Sequence, residues 1–137
     1  MNHGYRCAGF SLLDVLIAVT IVAILASLAL PNFREALQRG RRVDAVVSLL
    51  GVQVAQERWR ANHPAYASLA DLGWTEGVST EGYYRLRIGQ VSAGSFLATA
   101  EPQTDGPQQN DECGVFAIDP RGPVLATDYA DDACWRR

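Results

Sequence analysis

Between Phe10 and Leu30 the chain runs through 21 residues, FSLLDVLIAVTIVAILASLAL, in which Asp14 is the only charged side chain. A helix rising about 1.5 Å per residue covers roughly 31 Å over such a stretch, close to the hydrocarbon thickness of a bilayer. Whatever else the chain folds into, this segment is predicted to enter a membrane as a helix. The residues before it, MNHGYRCAG, carry Arg6 and no acid. The positive-inside rule therefore keeps them cytoplasmic and sends the remainder outward. Small residues stand before the apolar run, at Ala8-Gly9, and not after it, which disfavours the cut expected of an ordinary secretory signal. Asp14 is costly in lipid unless a partner or a polar path is at hand, and the positive end of the helix dipole is one favourable neighbour.

Composition narrows the function. The chain has 12 basic residues, all of them Arg, against 15 acidic ones, for a formal net charge of -3. No global positive field draws it to phosphate backbones, so general nucleic-acid binding is not indicated. The absence of Lys removes Schiff-base chemistry and a P-loop lysine. His63 is the one His beyond the apolar run, too few for a His-based metal cluster or a nucleophile-base-acid triad. No enzyme, cofactor or metal centre is expected. Asp128, Asp131 and Asp132 could collect Ca2+, but their spacing lacks the Gly and terminal Glu of an EF-hand loop, and a solvated acidic loop is the expectation.

Pro31 closes the apolar run and removes a backbone donor, which predicts a kink or local loosening near Ser27. Helical character then resumes. Leu37, Val43, Val47, Leu50 and Val54 recur mostly at intervals of three and four, an apolar face expected to pack on a downstream sheet. Gly40 and Gly51 each cost about 1 kcal/mol of helix preference relative to Ala, so this half needs tertiary support. Arg39, Arg41 and Arg42 are read as a solvated face. The helix is expected to end near Asn62-His63-Pro64. Tyr66, Leu69, Leu72 and Trp74 follow in a loop able to pack on helix and sheet.

Strands are predicted at Tyr83–Ile88, Ser95–Ala100 and Gly114–Ile118, with a short last one at Val124–Ala126. Tyr84, Leu86 and Ile88 alternate with Arg85 and Arg87, so the first strand has a buried and a wet face. Asp119-Pro120-Arg121-Gly122 carries the residue pattern of a type I turn. The economical architecture is α+β, an antiparallel meander across the second half of a long helix.

Gly9-Phe10-Ser11-Leu12-Leu13-Asp14 and the uncharged run behind it resemble the processing and assembly signature of type IV pilins and pseudopilins. The resemblance implies that a prepilin peptidase cuts between Gly9 and Phe10, that Phe10 becomes N-methylated, and that residues 1–9 are a leader. It makes residues 10–31 the membrane and assembly helix and residues 32–137 the globular pilin domain. The family has Glu where this chain has Asp14, whose partner would be the Phe10 amine of its own chain or a neighbour. The family also has a Pro at the place of Pro31. With Cys7 in the leader, Cys113 and Cys134 remain in an oxidising compartment and are expected to pair. A C-terminal disulfide loop is likewise part of the family, and Asp111-Glu112-Cys113-Gly114 with Cys134-Trp135 is similar to the pattern of PilE-type minor pilins.

The resemblance implies a structural subunit, a minor pilin that primes or joins a type IV pilus, with twitching motility, adhesion or DNA uptake among the family's functions. Its partners would be the peptidase, other pilins through the N-terminal helix, and inner-membrane assembly proteins. It would reside in the bacterial inner membrane before assembly and in an extracellular fibre afterwards. A pseudopilin of a type II secretion system is the alternative, followed by a signal-anchored binding module.

Overall fold

A computed structural model describes residues 11–136. The Gly9–Phe10 bond and Cys7 lie outside the described residues. Helix α1 spans Leu12–Arg60, and the strands β1 (Tyr84–Gly89), β2 (Leu97–Pro102), β3 (Phe116–Asp119) and β4 (Gly122–Pro123) precede a short helix α2 (Asp132–Arg136). The chain divides into two compact units, Met1–Ala36 and Leu37–Arg137. In the first, every residue from Ser11 to Leu30 is exposed. α1 is long and apolar enough to cross a membrane.

In the second unit β1, β2, β3 and β4 form an antiparallel sheet in sequence order. Tyr84 faces Pro102 and Gly89 faces Leu97 across the first ladder, and Ala100 faces Phe116 across the second. This is the expected meander, with three shifts: β2 and β3 each begin two residues later than expected, at Leu97 and Phe116, and the last strand is Gly122–Pro123, not Val124–Ala126. The two-residue connection Pro120-Arg121 sets that register, because Gly122 must face Asp119 directly. Asp119 Oδ1 accepts the Arg121 N–H at 2.7 Å, and Gly122 takes a φ of +123°, a conformation that L side chains rarely adopt.

The core joins Ala45, Leu49 and Val52 of α1 to Tyr84 and Leu86 of β1, Ala98 and Ala100 of β2, and Phe116 and Ile118 of β3. Tyr66, Leu69, Leu72 and Trp74 pack against it, as the loop sequence suggested. β1 buries Tyr84 and Leu86 and exposes Arg85 and Arg87, as the alternation predicts. Its outer edge is bonded to the preceding loop: Leu86 N–H donates to Gly77 O at 2.8 Å and Ser79 N–H to Tyr84 O at 2.9 Å. On the far side Val124 N–H donates to Ala117 O at 2.9 Å and Ala130 N–H to Val115 O at 2.7 Å. A Cβ at Gly77, whose φ is +60°, would sit 3.2 Å from Leu86 O, so glycine lets that loop lie close to β1.

α1 ends at Arg60, two residues before the expected stop, a difference within ordinary fraying. Its last turn is closed by side chains. The His63 ring stacks on Trp59 with centroids 3.7 Å apart, and its Nδ1 donates to Trp59 O at 2.9 Å. Arg60 donates to His63 O at 2.7 Å and lies over the Tyr66 ring. Cys113 and Cys134 are disulfide-bonded, with Cα atoms 5.9 Å apart. The tail forms α2, which Asp131 caps by accepting the Cys134 N–H at 2.8 Å. Asp132 pairs with Arg136 and Trp135 meets Phe116 edge to face.

Candidate assembly interface

The helix begins with a reciprocal cap. Ser11 Oγ accepts the Leu13 N–H at 3.3 Å, and Asp14 Oδ2 accepts the Ser11 N–H at 3.2 Å. An S-x-x-D pattern of this kind satisfies donors that the first helical turn leaves open, and the negative charge sits at the positive end of the dipole. The carboxylate is thus held toward the N-terminal end by its own chain. Ser11 is thus a direct neighbour of Asp14, at a capping-box spacing visible in the sequence. Along this part of the helix Leu12, Val15, Val19 and Val22 are 48 to 87% exposed, a surface for lipid or for other helices. Pro31 lies within α1, which continues unbroken through it.

In the second unit α1 has a packed face and an open one, and they are reversed relative to the sequence expectation. Leu37, Val43, Val47, Leu50 and Val54, read as the core face, are all at least 40% exposed. The packed face carries Ala45, Leu49 and Val52 together with Arg42, Asp44, Ser48 and Gln56. Polar groups on that face are matched one by one. Gln56, fully buried, clasps Ala67: its Nε2 donates to Ala67 O and its Oε1 accepts the Ala67 N–H, both at 2.8 Å. Asp44 accepts from Ser79 Oγ at 2.5 Å and from the Glu81 and Tyr83 N–H groups at 3.0 and 3.3 Å.

Arg42, expected among solvated arginines, is buried instead. Its Nε donates to Asp111 Oδ2 at 2.8 Å and Nη2 to Oδ1 at 2.5 Å, a two-pronged pair that offsets the desolvation of both charges. Gln108 Nε2 donates to the same carboxylate and to Tyr84 Oη. The bond to Asp111 holds the Arg42 guanidinium above its usual range, with burial opposing it. Burial pushes the Tyr84 phenol up to about 12. This cluster fixes α1 to the segment leading into Cys113, where Cys113 N–H donates to Asp111 Oδ1. The acidic tail residues are likewise used locally, Asp131 as a cap and Asp132 in its ion pair, while Asp128 is exposed.

The arrangement is therefore a capped apolar helix followed by a small disulfide-closed domain that leaves one apolar helix face open. Residues 4–30 match the prokaryotic N-terminal methylation motif. Residues 31–117, more than half of the chain, match the family model described as type IV minor pilin ComP, DNA uptake sequence receptor. The chain belongs to the type IV pilin family. This pilin is 31% identical over 67 residues to type II secretion system core protein G of Pectobacterium carotovorum, covering 49% of the chain and 43% of that protein. It is 32% identical over 66 residues to the type IV major pilin protein PilA of Myxococcus xanthus, covering 48% of the chain and 30% of PilA. It is 26% identical over 134 residues to core protein G of Klebsiella pneumoniae, covering 90% of the chain and 91% of that protein. The matches thus span less than half the length of the first two relatives. The family is a structural one.

Proposed function

We propose that this pilin is a minor subunit of a type IV pilus that acts in DNA uptake. The observation that carries the reading is the match of residues 31–117 to a minor pilin described as a DNA uptake sequence receptor. In this reading the peptidase removes residues 1–9 by cutting Gly9–Phe10, Phe10 is N-methylated, and residues 10–31 hold the subunit in the inner membrane until it enters a fibre with other pilins. The Phe10 amine then stands one residue before Ser11, whose N–H already reaches the Asp14 carboxylate. Asp14 is thereby the natural partner for that amine or for a neighbour's. Pro31, lacking a donor for the Ser27 carbonyl, is where the helix loosens on assembly. A net charge of -3 gathers no DNA by itself, so contact falls to local arginines, such as Arg85 and Arg87 on the wet face of β1.

Intact mass of membrane-extracted protein and transformation of a gene-deleted strain test this together. The expected results are a mature chain beginning at methylated Phe10 and a loss of DNA uptake restored by the gene. A chain that keeps residues 1–9 in cells with an active peptidase overturns the pilin role. A second reading, a pseudopilin, is favoured by the end-to-end similarity to the Klebsiella core protein G. A deletion strain that takes up DNA normally but fails to secrete type II substrates would establish that one instead.

A further inference from the structure

We infer that the Arg42–Asp111 pair makes the Cys113–Cys134 bond conditional on docking of the sheet against α1: Cys113 faces its partner only while Arg42 holds Asp111. The two cysteines are presented alike but held differently. Each follows closely on an aspartate whose carboxylate accepts its N–H, Asp111 Oδ1 that of Cys113 at 3.4 Å and Asp131 Oδ1 that of Cys134 at 2.8 Å. Asp131 is exposed and belongs to the tail, which β3 holds through the Ala130 N–H on Val115 O and Trp135 against Phe116. Cys134 is placed by β3 and the tail alone. The Asp111 side chain is fully buried, and its other donors are Arg42 Nε and Nη2 of α1 and Gln108 Nε2. Gln108 Nε2 also reaches Gln38 O of α1 at 3.2 Å. Cys113 is therefore placed through α1.

The coupling follows from where the charge goes when α1 lets go. A carboxylate is costly to keep in a dry site without its cation, so an undocked Asp111 turns to water. Cys113 moves with it, because the turn between them is tight: the Gly114 N–H donates to Asp111 O at 3.1 Å. A disulfide tolerates little displacement. Its Cα atoms stand 5.9 Å apart here, and beyond about 7 Å the link cannot form without backbone movement. An open cavity of about 420 Å³, lined by Arg42, Glu112 and Asp131 together with both cysteines, lets a thiol or disulfide reagent reach the bond. Closing it takes two protons and two electrons from the Cys113 and Cys134 thiols, and a disulfide oxidant receives them and leaves as two thiols. Coupling between two equilibria is reciprocal, so the closed bond in turn tightens the hold of Asp111 on Arg42. A docked domain is sealed, and an undocked one stays open to reduction.

The test uses the full chain with Cys7→Ser in detergent micelles, equilibrated with mixtures of reduced and oxidised glutathione. Thiol capping and a gel shift read the fraction closed, and near-ultraviolet circular dichroism checks that each variant is folded. Arg42→Met is expected to lower the equilibrium constant for closure by about tenfold, an ordinary coupling between two sites. Gln56→Ala also loosens the hold of α1, by removing the clasp on Ala67, but touches nothing beside Cys113, and should leave the constant near that of the parent. Arg42→Met with Asp111→Leu leaves no unmatched charge yet offers the Cys113 N–H no carboxylate, so its constant should stay several-fold low. A parent-like constant in Arg42→Met, a full return in the double variant, or an equal fall in Gln56→Ala would overturn the inference, the last by showing that overall stability alone sets the bond. If Arg42→Met does not fold, the double variant decides against the same control. No fibre is needed, so the outcome is independent of the pilus reading.

Discussion

Arg42 shows how one side chain can hold a domain to its helix. Both members of the Arg42–Asp111 pair are buried, so removing one leaves the other charged and unmatched in a dry site. Arg42→Met should lower stability by about 3 to 5 kcal/mol, and Arg42→Met combined with Asp111→Leu should recover part of it. Chemical denaturation in detergent, followed by near-ultraviolet circular dichroism, measures both. A loss within the ~0.5 kcal/mol of a surface substitution would mean that the pair is not a constraint. Tyr84 in the same cluster gives a pH dependence. Its phenol ionises near 12 when folded and about two units lower in an unfolded chain, so its contribution is complete below pH ~10. Above that the unfolded chain loses the proton first and stability falls until pH reaches about 12. Tyr84→Phe should flatten this alkaline limb; an unchanged limb would assign it to another group.

At the scale of elements, the Cys113–Cys134 bond closes a loop across a sequence separation of 21 and holds β3, the tail and α2 together. Replacing both Cys by Ala should cost about 3 kcal/mol by loop-closure entropy and leave the helical content of α1 unchanged. Denaturation and far-ultraviolet dichroism of the two proteins decide it, and an unaltered midpoint would mean the tail is held by Trp135 on Phe116 alone. What the sequence discloses and what it hides divide along the same scale. The apolar run, the two faces of β1 and the turn at Asp119–Gly122 were legible because each depends on its own residues. The orientation of α1 was not, because the helix has two apolar faces: Ala45, Leu49 and Val52 repeat at helical spacing as well as Val43, Val47, Leu50 and Val54 do. Hydrophobicity favoured the second set; the sheet took the first, where small side chains admit close approach and Asp44, Arg42 and Gln56 find partners from distant parts of the chain. A helix apolar on both sides is the signal that would have revealed it. α2 was hidden for a simpler reason, since five residues hold a helix only through Cys134 and Trp135.

For the whole molecule, the proposed function assigns assembly and folding to different residues. Asp14→Ala should leave the unit Leu37–Arg137 folded, with its disulfide formed and its denaturation midpoint unchanged, while incorporation into surface fibres falls several-fold. Asp14→Glu, the residue usual in the family, should incorporate at least as well as the parent. Quantitative blotting of sheared fibres against membrane fractions measures this, and incorporation equal to the parent in both variants would remove the assembly role. The two partly covered margins of the sheet bear on the same separation. Gly77 and Ser79 occupy the first half of the outer edge of β1, and Val124 and Ala130 lie along β3, which shortens the ladder that another chain could extend. On the proposed function, a subunit so margined can wait in a bilayer with little tendency to polymerise through its strands, which leaves the choice of neighbour to its helix.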